Sequence, residues 1–136
     1  MSAYIFLYGT LMLQYAPDAI RSAVHSLHHV GDGWVYGWLY DMGAFPALVL
    51  HPHAPKAFGK VFALPSEGDV LTQCDGYEGF YPDNVAASLF VRQETMVTLT
   101  DGSTLPCWIY VYNRAIGSAK RIPSGRYVAD KPFSPC

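Results

Sequence analysis

The residues best suited to chemistry lie in Asp75-Gly-Tyr-Glu-Gly-Phe-Tyr-Pro-Asp-Asn84. Here one carboxylate, Glu78, sits between glycines at 76 and 79, with Tyr77, Phe80 and Tyr81 close by in sequence. The glycines let the backbone turn sharply and let other groups approach. The aromatics offer apolar walls, and a carboxyl among such walls loses hydration, which disfavours its charged form. That is the condition for a general acid/base working near neutral pH. The plainer alternative is an exposed turn acid.

Two other groups of reactive types stand out. Cys74 directly precedes this stretch and, with a histidine, could make a nucleophile pair. Its place on the apolar side of a short helical pattern points instead to an inert packing thiol. No GxSxG is present to support a serine hydrolase. His25, His28 and His29 have spacings of three and four, which on a helix would bring two imidazoles to one face, as a metal site needs. No cysteine or acid in that stretch completes a ligand set, so a solvated helix end is expected and no metal is assigned.

The elements that position these groups are mostly strands. Ala3 to Tyr8 is a nearly continuous apolar run, the pattern of a strand buried on both faces. It ends in Gly9-Thr10-Leu11, where freed backbone amides can form an anion-binding nest. No GxGxxG or Walker pattern accompanies it. A helix is expected from Pro17-Asp18, with Asp18 as N-cap and Ile20, Val24 and Leu27 on its inner face. Strands follow at 31–41, with Gly37 marking a bulge or a close approach, then at 47–50 and 57–64. Pro65-Ser66-Glu67 opens a second helix with Ser66 as N-cap, and Val70, Leu71 and Cys74 form its apolar face. Glu78 then closely follows a helix C-terminus, where the dipole also disfavours negative charge.

Asp101-Gly102 is a strong hairpin signal between strands at 88–100 and 104–113. That hairpin brings Arg92 and Tyr112 to the same end of the sheet. Arg92 either binds a substrate carboxylate or pairs with Glu94 or Asp75. Tyr112 either lines a pocket or faces the core. Residues 117–128 read as turn-like, residues 1–129 as one domain, and residues 130–136 as a loosely held tail.

Composition narrows the function classes. The chain has 136 residues, 51% hydrophobic and 15% charged, enough for one domain with a real core. A net charge of −2 with no basic run gives no footprint for nucleic acid. Three scattered cysteines do not form a disulfide framework. There is no signal-peptide pattern and no apolar run of membrane length. A soluble protein of the reducing cytoplasm, without a nucleic-acid or membrane partner, is expected.

Taken in order, the chain resembles the gamma-glutamylcyclotransferase-like, or AIG2-like, family. The resemblance rests on Tyr8-Gly-Thr-Leu11, Gly37-Trp-Leu-Tyr-Asp-Met-Gly-Ala-Phe-Pro-Ala-Leu-Val49, Gly59-Lys-Val-Phe62, Asp75-Gly-Tyr-Glu-Gly79 with Ser88-Leu-Phe-Val-Arg92, Trp108-Ile-Tyr-Val-Tyr112 and Ile122-Pro-Ser-Gly125. It implies an α+β fold, a small mixed β-barrel with a few flanking helices. It implies a pocket between the Tyr8–Leu11 loop and the catalytic glutamate, a position that Glu78 matches. Amides around Gly9, Thr10 and Leu11 would hold the substrate's carboxylate. The implied reaction closes a γ-glutamyl group to 5-oxoproline and releases an amine or amino acid, with no metal, cofactor or covalent nucleophile. Family members often carry a glycine and a polar Asn or His after the first loop, where this chain reads Met12-Leu-Gln-Tyr-Ala16. That departure leaves the amine portion of the substrate open. A binding module that keeps the fold without turnover is the alternative.

Overall fold

The structure, a computed structural model, describes residues 2–9, 18–66 and 68–127, with the side chains of residues 18 and 19 not described. Its strands are β1 (Tyr4–Leu7), β2 (His28–Asp41), β3 (Pro46–Leu50), β4 (Lys56–Ala63), β5 (Phe90–Leu99), β6 (Thr104–Tyr112) and β7 (Lys120–Arg121). Its helices are α1 (Asp18–His25) and α2 (Val70–Glu78), with a 3-10 turn at Val85–Ala87.

The strand order β2-β4-β1-β6-β5 closes on itself, because Gly33 and Trp34 of β2 also pair with Leu99 and Thr98 of β5. β3 and β7 extend β2 outside this five-stranded barrel. β1 runs parallel to β6 and antiparallel to β4, so the barrel is mixed. The α+β barrel expected from the sequence is therefore the observed fold.

β1 explains the continuous apolar run. It has neighbours on both edges, and Ile5, Phe6 and Leu7 are fully buried. At Gly59 of β4 an added Cβ would lie 2.4 Å from the Leu7 carbonyl oxygen, so only glycine permits this approach. Gly37 is likewise a close approach, with a Cβ placed 2.8 Å from Leu48 Cδ1, while the register shift in β2 falls at His29/Gly31.

The hairpin at Asp101-Gly102 is present, with β5 and β6 in register from Phe90↔Tyr112 to Thr98↔Thr104. The Gly102 amide donates to Leu99 O and the Leu99 amide to Ser103 O. Gly102 has φ +90°, and Asp101 does not take a positive φ. The loop is thus a three-residue turn ending in left-handed glycine, not a two-residue primed turn.

Three local expectations are corrected. Helix α2 starts at Val70 with Asp69 as N-cap, not at Ser66, because Gly68 at φ +100° breaks any helical path before it. Gly76 is not a turn glycine: it lies inside α2, and an added Cβ would meet nothing within 4 Å. Only His25 belongs to α1, since the Ser26 hydroxyl donates to Ala23 O at the helix end and His28 and His29 begin β2. Consecutive strand residues point to opposite faces, which removes the helical reason for pairing those imidazoles. Among the described residues no group of three His, Cys, Asp or Glu side chains gathers as a metal site. Asp18 is the first residue of α1, and Ile20, Val24 and Leu27 are buried as expected. No helix among the described residues is long and apolar enough to cross a membrane.

Candidate active site

α2 carries the site. Its buried face presents Val70, Cys74, Asp75 and Glu78, two of which are carboxylic acids. Glu78 is the last helical residue and its side chain is completely removed from solvent. The helix ends at once because Gly79 takes the left-handed conformation, φ +68°, and the Phe80 amide returns to Asp75 O at 2.9 Å.

Asp75 lies one turn before Glu78 and is held from two strands. Arg92 Nε donates to Asp75 Oδ1 at 2.7 Å, and Arg92 Nη2 donates to Oδ2 at 3.1 Å. The Tyr110 hydroxyl donates to the same Oδ1 at 2.7 Å. Arg92 and Tyr110 are cross-strand partners on β5 and β6, so hairpin register delivers both donors to one carboxylate. The Arg92 guanidinium also stacks 4.3 Å from the Trp108 ring. Burial works against its charge, but the hydrogen bonds and charge of Asp75 hold it above its ordinary range.

Tyr110 is fully buried and also ties in Tyr8, whose hydroxyl donates to Tyr110 O at 2.5 Å. Burial first, then Cys74, Asp75 and Glu78, push the Tyr110 hydroxyl well above its ordinary range, so it stays protonated. Burial, helped by Glu78 and Asp75, pushes the Cys74 thiol up to about 12. That thiol is neutral at physiological pH and is a packing group.

The segment after Glu78 is pinned. Ser88 Oγ accepts from the Tyr81 amide at 2.8 Å, and Asn113 Nδ2 donates to Val85 O and Ser88 O. Arg114 donates to Ala86 O and Ala87 O from β6's far end. The chain leaving Glu78 is thereby fixed to the same hairpin that holds Asp75.

The expected site residues fall as follows. Tyr8 and Gly9 are buried just beyond the end of β1, and the Tyr8 side chain reaches Tyr110 of β6. Thr10 and Leu11, and the Met12–Ala16 stretch, lie outside the described residues. Of the roles open to Arg92, the ion pair with Asp75 is formed. Tyr112 is half-buried and packs its ring on Phe45 and Phe90, at 5.9 and 5.5 Å between centroids. Sequence reasoning missed Tyr110 and gave Asp75 no place in the site. The signal for Asp75 was its i, i+3 relation to Glu78, hidden once Gly76 was read as a turn.

The chain matches the family described as "Gamma-glutamyl cyclotransferase, AIG2-like" over residues 5–129. It belongs to that family. No curated protein sequence matched it. Among solved structures it is similar to an AIG2-like protein from Mus musculus, with 19% identity, TM-score 0.68 and coverage of 96% of this chain and 91% of that one. A protein from Pyrococcus horikoshii described as uncharacterized is 17% identical, with TM-score 0.59 over 92% and 89% of the two chains. A structure described as gamma-glutamyl cyclotransferase is 14% identical, with TM-score 0.58 over 89% of this chain and 70% of that one. At these identities the likeness carries the fold.

Proposed function

We propose that this family member cyclises a γ-glutamyl group to 5-oxoproline and expels an amine or amino acid, with Glu78 as the sole acid/base. The observation that carries this is the complete burial of Glu78 at the end of a helix. Burial of a carboxyl costs stability, and the helix C-terminus adds to that cost when the group is charged. A general acid/base gains from both effects, since they favour taking up a proton.

The substrate's α-nitrogen attacks its own γ-carbonyl carbon. A carbon–nitrogen bond closes the five-membered lactam, and the bond to the departing nitrogen breaks. The α-ammonium gives up two protons, and the departing nitrogen gains two as it leaves as an ammonium. Glu78 carries them one at a time and ends in its starting state. Intramolecular attack supplies effective molarities of ~10⁵ M or more, so orientation and proton transfer are the main requirements. In this reading Tyr8, Gly9, Thr10 and Leu11 bind the substrate's carboxylate, a task to which backbone amides are suited, and Tyr112 lines the approach.

The test is 5-oxoproline release from γ-glutamyl amines, γ-glutamyl dipeptides and glutathione, with Glu78→Gln alongside. Release that vanishes in the variant supports the reading. Stabilisation of the folded protein by 5-oxoproline without any release would favour a binding module instead.

A further inference from the structure

Asp75 and Glu78 occupy one buried helix face, and two carboxyls so placed compete for a single negative charge. The structure resolves this competition with a cation: Arg92 grips Asp75 through both carboxylate oxygens, and Tyr110 adds a third hydrogen bond. We propose that the Asp75–Arg92 pair is a counter-pair that commits the Arg92 charge to Asp75 and makes Glu78 the carboxyl that exchanges protons. Asp75, Arg92 and Tyr110 are then positioning residues acting through Glu78. The proposal takes its meaning from the cyclotransferase reading, but its test does not require turnover.

Among the described residues, Cys74 and Asp75 share the Glu78 face of α2, and Asp75 is gripped there by Tyr110 from β6 and Arg92 from β5. Cys74 lies within electrostatic reach of Glu78, Asp75 and Arg92, and Tyr110 within reach of Glu78 and Asp75. The thiol and the phenol remain neutral over the range in which carboxyls titrate. Asp75 and Arg92 are the charges these neighbours carry, and while paired they oppose one another at Glu78. Removing either member leaves the other's charge acting on it. A unit charge about 12 Å away at an effective dielectric near 20 moves a titration by about one pH unit, and a nearer charge moves it further.

The experiment is a pH titration of the Glu78 carboxyl carbon by NMR in protein labelled at glutamate. The chain has three glutamates, and Glu78→Gln identifies the resonance by its loss. Asp75→Asn should lower the Glu78 midpoint by at least about one pH unit, because Arg92 then favours the anion. Arg92→Gln should raise it, because the Asp75 carboxylate then acts on Glu78 without its counter-charge. The double variant should return the midpoint toward that of the wild type. Opposite shifts that cancel support the proposal, because loss of packing alone has no reason to produce that sign pattern. An unmoved midpoint, shifts in one direction, or no reversion in the double variant overturns it. If Asp75→Asn fails to fold, Arg92→Gln decides alone: a raised midpoint supports the proposal and an unmoved one overturns it. Should the midpoints move as expected while the wild type releases no 5-oxoproline, the cyclotransferase reading fails and the counter-pair stands.

Discussion

Asp75 and Glu78 stand one helical turn apart on the buried face of α2, and Arg92 is engaged by the first of them. That arrangement gives the two acids different work. Asp75 is tied into the β5–β6 hairpin through Arg92 and Tyr110, which fixes the helix against the barrel. Glu78 is carried on that fixed helix to a fully enclosed position. Rigid placement of this kind is what an acid/base needs to meet two nitrogens in succession.

Glu78→Gln keeps the shape of the side chain and removes its ability to take a proton. Turnover should fall by at least ~10²-fold, the scale of general acid–base catalysis. Thermal stability should be unchanged or higher, because an amide is cheaper to bury than a carboxylate. Assay of 5-oxoproline release together with a melting curve checks both. Full turnover in a folded variant would remove Glu78 from the mechanism.

Much of this was legible in the sequence. The apolar run at 3–8 and the Asp101-Gly102 hairpin each carry a local physical signal and found their expected places, whereas Glu78, expected just after a helix end, is the last residue of α2. The cap of α2 was misread because Ser66 is a good cap in isolation, whereas Gly68 decides where the helix can begin. Tyr110 was overlooked for a different reason. Alternation along β6 separates Tyr110 from Ile109 but does not say that both faces are covered. Both residues are fully buried, Tyr110 beneath α2 and Ile109 on the opposite face of the strand. Which face a helix will cover is a tertiary fact, outside the reach of period-two patterning.

The two glycines flanking Glu78 should respond oppositely to alanine. Gly79 holds φ +68° and its Cβ would lie 3.4 Å from Leu89 Cβ, so Gly79→Ala should cost about 1–2 kcal/mol. Gly76 is helical with open space around it, so Gly76→Ala should stabilise by about 0.5–1 kcal/mol. Urea midpoints of the two variants test the pair. Equal effects would mean that α2 does not end where the structure ends it.

Gly59→Ala tests the close approach of β4 to β1. Its Cβ would sit 2.4 Å from Leu7 O and 2.7 Å from Phe6 Cζ, so one strand must move. Overpacking of this kind costs about 1–3 kcal/mol. Because Leu7 directly precedes Tyr8 and Gly9, the displacement should also weaken substrate binding through the loop. Denaturation and KM should therefore change together; a stability loss with KM unchanged would uncouple the strand from the loop.

Native Cys74 and Cys107 should resist alkylation at pH 8. Both are fully buried, and burial pushes their thiols up to about 12 and about 11 respectively. Peptide mapping after iodoacetamide treatment should find these two positions modified only after unfolding. Cys74→Ala should retain turnover, and its loss in a folded variant would reopen thiol catalysis.

The same buried groups set the response to alkali. Thiols ordinarily near 9.0 and a phenol ordinarily near 10.0 are held protonated in the fold well beyond those values. The unfolded chain therefore releases protons first as pH rises, and deprotonation favours it. Stability from Cys74 and Cys107 is complete below about pH 9. It then falls until each thiol ionises in the fold, at about 11 for Cys107 and about 12 for Cys74. Tyr110 adds to the loss above its ordinary value. Each such group removes up to about 1.4 kcal/mol per pH unit within its window. Denaturant midpoints measured from pH 8 to 11 should be flat at first and then decline steeply. Cys74→Ala should make that decline shallower, whereas an unchanged slope would mean that the Cys74 thiol is not held protonated by the fold.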